Sequence, residues 1–150
     1  VAEYLEKQLR GYKAVPGGKP ERDNAVMAGM VANLSPEDMR NVAAYYANQK
    51  PKGGVSRSRE LVFVGQKLYR SGNAATGLPA CAGCHGPNGA GIPAQYPRLA
   101  GQYAEYTAAQ LKTFHEGQRA NDTNRMMRSI AAKMSDAEMR AVSDYIAGLR

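Results

Sequence analysis

The stretch Cys81-Ala82-Gly83-Cys84-His85 contains both cysteines of the 150-residue chain and one of its two histidines. A Cys-x-x-Cys-His run is the pattern of covalent haem attachment. Two thiols at this spacing can reach the two vinyl groups of one porphyrin, and the next residue can coordinate the iron. The motif therefore predicts one haem c on this chain, bound through Cys81 and Cys84 with His85 as an axial ligand.

Two other interpretations of the motif are weaker. A thioredoxin-like redox pair usually sits between a strand and a helix, whereas the residues before Cys81, Ser71-Gly72-Asn73-Ala74-Ala75-Thr76-Gly77-Leu78-Pro79, are typical of a loop. A zinc site needs about four ligands, and only His115 remains to join the three in the motif. Haem is therefore favoured over a dithiol or zinc.

The charge of the chain limits its partners. Twenty basic and thirteen acidic side chains give a net charge of +7, but the basic residues are scattered. A nucleic-acid-binding protein more often has a clustered basic stripe with interleaved aromatic residues. The excess of positive charge suits an acidic protein partner or peripheral association with an anionic membrane surface, through electrostatic steering.

No stretch approaches the twenty or so apolar residues that a membrane span needs. Because haem is attached to cysteines outside the bacterial cytoplasm, a periplasmic location is expected. No secretion signal is visible in the sequence, and we expect one to have been removed.

An internal repeat is the second informative feature, since residues 1–50 resemble residues 103–150. Gln8-Leu9 matches Gln110-Leu111, Met27 matches Met127, and Ser35 matches Ser135. The offset between the copies falls from 102 to 100. We therefore expect two extra loop residues in the first copy, within residues 15–20.

The repeated unit predicts a helix, a loop with a methionine, and a second helix. Ser35 and Ser135 have the pattern of N-caps followed by acidic residues, and Pro36 suits the first helical position. A further helix is predicted at roughly 57–71, with Gly65 allowing close approach to Tyr145.

The repeat also predicts the domain organisation. Residues 59–150 contain a whole unit with its leading helix and attachment motif, and residues 51–58 have the composition of a linker. Residues 1–50 contain only the second half of such a unit. We expect the first half of that unit to be missing from this chain, and residues 1–50 not to fold alone.

The second axial ligand is predicted to be Met127. Its repeat partner is Met27, whereas Met126 aligns with Val26 and Met30 aligns with Ile130. The alternative is that Met27 and Met127 are adaptable core residues.

Two further residues are candidates for roles around the iron. His115 is a rival axial ligand, but it has no histidine counterpart in the first copy and is expected at the surface. The Pro97 carbonyl could accept a hydrogen bond from His85, although spacing alone leaves an ordinary turn proline equally plausible.

A family resemblance rests on these motifs together with Pro97-Arg98-Leu99-Ala100-Gly101-Gln102, Gly117 and Arg119. The chain resembles class I c-type cytochromes of the di-haem cytochrome c4 family. The resemblance implies an all-α cytochrome c fold, with two tandem haem domains of which the first is incomplete here. It also implies Met127 and Pro97 in the roles above, and Met27 as ligand of a second haem. Only one Cys-x-x-Cys-His is present, so this chain can covalently hold one haem.

Three functions were weighed on this basis. The resemblance favours a periplasmic carrier, not itself an enzyme, that moves electrons between membrane respiratory complexes, for example to a terminal oxidase. A second hypothesis is the haem subunit of a larger oxidoreductase, such as a flavocytochrome sulfide dehydrogenase. A peroxidase is the third, but no distal acid–base residue is evident near Met127.

Overall fold

The computed structural model describes residues 1–150, and eight α-helices joined by loops make up its regular structure. They are α1 Ala2–Tyr12, α2 Ala25–Val31, α3 Pro36–Ala47, α4 Arg59–Ser71, α5 Ala82–His85, α6 Ala104–His115, α7 Met126–Ala131 and α8 Asp136–Gly148. A 3₁₀ turn, Thr123–Arg125, precedes α7, and the extended pairings are isolated bridges. The predicted all-α class is confirmed.

Serine caps start the last helix of each repeat, as the sequence predicts. The Ser35 hydroxyl accepts the backbone N–H of Asp38 at 3.1 Å, and the Asp38 carboxylate accepts the backbone N–H of Ser35 at 2.8 Å. Ser135 and Glu138 make the same reciprocal pair. Each cap satisfies N–H groups that have no partner within the helix.

Helix α4 lies across α8 at a very short distance. A Cβ atom on Gly65 would lie 2.7 Å from the Cβ of Tyr145 and would overlap the carbonyl of Ala141. The rings of Tyr69 and Tyr145 pack beside this crossing, with centroids 5.4 Å apart. The close approach predicted at Gly65 is therefore present, and it leaves no room for a side chain.

The two halves of the chain have cores of very different size. In the second half, eleven buried residues form one cluster that draws on α4, α6, α8 and the loops between them. In the first half the cluster is Tyr12, Val31 and Met39. The first half has little apolar burial of its own, and its inability to fold alone stays a prediction.

The end of the predicted linker is bound to the second half. The Asp144 carboxylate, which is buried on α8, accepts the backbone N–H groups of Arg57 and Ser58 at 2.9 and 3.1 Å. The Arg150 guanidinium donates to the carbonyl of Gly54 at 2.7 Å. The segment that leads into α4 is thus held by the side chains of Asp144 on α8 and of Arg150, two residues beyond the end of that helix.

None of the helices is both long and apolar enough to cross a membrane.

Candidate haem-attachment site

The attachment segment forms a single helical turn. Cys81 precedes α5, Cys84 lies within it and His85 ends it. Because residues three apart share a helix face, the two sulfur atoms can reach the same flat group. Both cysteines are free. Burial raises the pKa of the Cys81 thiol to about 11, which disfavours the thiolate that a reactive dithiol needs.

His85 is buried and fixed in orientation by the Pro97 carbonyl. The two atoms, Nδ1 of the ring and the carbonyl oxygen, are 2.9 Å apart. A carbonyl can only accept, so Nδ1 carries the proton and Nε2 is left with a free lone pair. Burial lowers the pKa of His85, and the hydrogen bond to Pro97 acts in the opposite direction. The structure therefore brings together the two residues that sequence spacing left open.

The loop between His85 and Pro97 is held close by its glycines and by α4. At Gly91 the backbone has a φ of +76°, and a Cβ atom there would lie 2.7 Å from the carbonyl carbon of Pro97. The Tyr69 hydroxyl donates to the carbonyl of Gly86 at 2.7 Å, directly after the attachment turn. These contacts fix the end of α5 against the helix that crosses α8.

The methionines considered as ligands lie in different surroundings. Met127 is the second residue of α7 and packs against the same core as Cys81, whereas Met126 is not among the residues packed there. Met27 packs against the small core of the first half, and Met30 is 68% exposed. Met127 and the attachment segment thus border one apolar core, while Met27 lies apart from it.

The rival ligand His115 lies at the exposed end of α6. Its Nδ1 is 2.8 Å from the carbonyl oxygen of Ala131. No group of three or more histidine, cysteine, aspartate or glutamate side chains could hold a metal ion, so a zinc site at the attachment motif has no support.

A pair of buried arginines lies where the two halves meet. Arg22 is 4% exposed and Arg119 is 7% exposed, and their backbones pair in an antiparallel bridge. Neither guanidinium forms an ion pair with a carboxylate. Instead both donate to the amide oxygens of Gln8 and Gln110, and the Arg119 guanidinium also donates to the Tyr4 hydroxyl.

Buried charges are normally paired, so two unpaired guanidinium groups make this interface suited to anions. At the attachment turn, the two half-buried cysteines and the free Nε2 lone pair of His85 fit a covalently attached haem.

Sequence reasoning missed Arg22. It stacks on the Tyr12 ring as Arg119 stacks on the Phe114 ring, so the two arginines are repeat partners. Nine residues separate Tyr12 from Arg22, but four separate Phe114 from Arg119. The first copy therefore has five extra residues before the arginine and three fewer after it, rather than two extra at one place. Aligning Glu21-Arg22 with Gln118-Arg119 would have found the pair.

Comparisons with known proteins agree with this site. The family model described as cytochrome c matches residues 64–150. A cytochrome c4 from Azotobacter vinelandii is 50% identical over 152 residues, covering 97% of this chain and 72% of that protein.

Solved structures give the same result. Reduced recombinant cytochrome c4 from Pseudomonas stutzeri has a TM-score of 0.89 at 43% identity, covering 99% of this chain and 81% of the other. A thiosulfate dehydrogenase from Marichromatium purpuratum has a TM-score of 0.87 at 31% identity, covering 99% of this chain and 31% of the other.

The helical fold and the attachment turn define a class I c-type cytochrome, which carries covalently bound haem c and transfers electrons. Within that class, the chain belongs to the cytochrome c4 family. The resemblance stated from the sequence is confirmed, and so is haem c as the cofactor.

Proposed function

We propose that this chain is a periplasmic electron shuttle between membrane respiratory complexes, with a terminal oxidase as one acceptor. The observation that carries the proposal is that the attachment segment, through Cys81 and Ala82, packs against the same main core as Met127. With His85 and Met127 both holding a haem iron, no position would be left open for substrate, which would suit electron transfer rather than catalysis at the metal.

Each proposed ligand has a defined role. Haem iron, when bound, supplies a one-electron couple. The Pro97 carbonyl keeps the proton on Nδ1 of His85 and makes Nε2 a stronger donor. The Met127 thioether is soft and neutral, which favours ferrous iron and raises the reduction potential relative to two histidine ligands. His85 is buried and Met127 is partly buried, so both side chains would shield a bound iron from water.

The proposed domain division follows the repeat. Residues 59–150 form a complete cytochrome c domain, residues 51–58 are the linker, and residues 1–50 are the C-terminal half of a first domain. Helices α1, α2 and α3 follow the order of α6, α7 and α8, and Met27 lies in the first turn of α2 as Met127 lies in the first turn of α7. By this correspondence Met27 is the ligand of a second haem.

Haem content and ligation test the proposal. Intact mass and the reduced alkaline-pyridine spectrum should give one haem on this chain, attached at Cys81 and Cys84. The ferric protein should have the charge-transfer absorption band of a methionine sulfur on iron, and Met127→Ala should abolish it. Met126→Ala is the matched control and should retain the band. Loss of the band in the control alone would overturn the ligand assignment.

Electron delivery tests the partner. The reduced protein should be reoxidised by membranes that contain a terminal oxidase, at a rate that depends on ionic strength because the chain carries a net charge of +7. Binding to anionic vesicles, but not to neutral ones, would support peripheral membrane association. No reoxidation by such membranes would contradict the oxidase assignment.

A second candidate function is the haem c subunit of a larger oxidoreductase. The likeness to a thiosulfate dehydrogenase, of which the chain covers 31%, supports it. A flavocytochrome sulfide dehydrogenase is the other example that the sequence favours. Purification from its own cell extract distinguishes the two candidates, because a subunit should elute in a stable complex with a dehydrogenase and a shuttle should elute without one.

A further inference from the structure

The segment that leads into α7 is closed by two bonds between one aspartate and one arginine. The Asp122 carboxylate accepts the backbone N–H of Arg128 at 3.0 Å and the Nε–H of its guanidinium at 2.7 Å. The Asp122 side chain is only 6% exposed. This ion pair therefore lies largely out of water, where such bonds are stronger than at the surface. It closes a loop around Met126 and Met127.

The backbone inside this loop is strained. Asn124 and Arg125 both have a φ of +55°, in the left-handed region that residues other than glycine avoid. Arg125 stands at the N-cap of α7 but gives it no side-chain cap. The bonds from Asp122 are the side-chain hydrogen bonds that hold residues 122–128 together. Without them, this stretch would be free to relax away from its present path.

The start of the corresponding helix in the first half, α2, is capped in a different way. There the Asn24 side chain is an ordinary N-cap and accepts the backbone N–H of Met27 at 2.9 Å. No residue of that turn has a positive φ. In the second half the acceptor is Asp122, four residues before the start of α7, and it bonds to Arg128, the residue after Met127. The loop that carries Met127 thus depends on one buried carboxylate, whereas the loop that carries Met27 does not.

We propose that Asp122 is a positioning residue for Met127, and that its ion pair with Arg128 sets how often the methionine sulfur leaves the iron. This inference rests on the proposed function, because it takes Met127 as the second axial ligand. The Asp122 carboxylate acts through its two bonds to Arg128, in the first turn of α7.

Cyanide binding to the ferric holo-protein measures this directly, because cyanide can bind only after the methionine has left. Asp122→Ala removes both bonds and should speed cyanide binding about tenfold or more, as expected for a lost cap and a lost ion pair. Asp122→Asn retains an acceptor for the Arg128 N–H and should give a smaller increase. Arg128→Lys keeps the backbone N–H and the positive charge, and should also fall between wild type and Asp122→Ala.

Ser135→Ala is the matched control for general destabilisation. It removes the cap of α8, which should cost about 1 kcal/mol, but it leaves the bonds between Asp122 and Arg128 in place. Its cyanide-binding rate should stay within about twofold of wild type. If Asp122→Ala and Asp122→Asn bind cyanide no faster than Ser135→Ala, the positioning role is wrong.

The Met127→Ala variant separates failure of this inference from failure of the proposed function. If Met127→Ala keeps the sulfur–iron absorption band, the ligand assignment fails and the positioning role fails with it. If that variant loses the band while Asp122→Ala binds cyanide at the wild-type rate, the ligand stands and only the role of Asp122 is overturned. Should Asp122→Ala not fold, Asp122→Asn gives the deciding rate.

Discussion

Helices α3 and α8 carry the same pattern of residues but have different surroundings. Both begin at a serine capping box, and Met39 and Met139 are buried in both. Tyr145 is 7% exposed, however, whereas its repeat partner Tyr45 is 62% exposed. Helix α4 lies across α8, and no helix lies across α3 in the same way. The pattern of a helix thus predicts which face is apolar, but burial depends on the partner that covers it.

The largest contrast between the halves is expected at these tyrosines. Tyr145→Ala should lower the free energy of unfolding by about 3–5 kcal/mol, because a large buried ring is replaced by a cavity. Tyr45→Ala should change it by no more than about 0.5 kcal/mol, as for other surface substitutions. Urea denaturation of both holo-proteins measures the difference. Equal losses would mean that α3 is covered in solution as α8 is.

A smaller contrast is expected at two helical glycines. Gly65→Ala should cost about 2–3 kcal/mol, because the new Cβ would overlap backbone and side-chain atoms of α8. A Cβ atom added at Gly29 in α2 would have no atom within 4 Å. Gly29→Ala should therefore leave the free energy of unfolding unchanged or raise it by up to about 1 kcal/mol. The same substitution is therefore expected to lower stability in the second half and not in the first. A loss at Gly29 as large as that at Gly65 would refute the distinction.

The smallest contrast concerns two buried tyrosines at high pH. Burial raises the pKa of Tyr69 to about 12, with smaller contributions from Cys81 and Tyr145. Burial also raises the pKa of Tyr12, but the Arg22 cation opposes the rise. The unfolded phenol ionises first, near its ordinary pKa of about 10, so stability is present below that pH and is lost as the pH rises towards the folded value.

Wild type should therefore lose about 1–2 kcal/mol of stability between about pH 10 and 12 on account of Tyr69. Tyr69→Phe should lose less over this interval, and it should be about 1 kcal/mol less stable than wild type at neutral pH because the bond to Gly86 is gone. Tyr12→Phe should alter the slope less than Tyr69→Phe does. Unfolding in urea at several pH values tests this, and parallel curves for wild type and Tyr69→Phe would contradict it.

Local features of the fold were predictable from the sequence. The caps at Ser35 and Ser135 depend on residues three apart, and the start of α4 follows from the change of composition after the linker. The close approach at Gly65 was also predictable, because a glycine in an otherwise apolar helix face indicates contact with another backbone. In each case a short stretch of sequence contains all the atoms that decide the structure.

Features that join distant residues were not predictable in the same way. The Asp144 carboxylate holds the backbone just before α4 from another helix, and no spacing rule indicates this. Arg22 and Arg119 meet only because loops of unequal length bring their backbones together. The pair formed by Asp122 and Arg128 depends on two left-handed residues between them, which sequence propensity disfavours.

The bonds from Asp144 and Arg150 to the predicted linker have a consequence for recognition. Because they fix the chain from Gly54 to Ser58 against the second half, the length that can act as a hinge is short. The buried arginine bridge between the halves restricts that hinge further. A docking protein therefore binds a surface whose two halves are already fixed relative to each other. Binding does not carry the entropy cost of orienting them. Such pre-organisation suits encounters that must be specific and also brief.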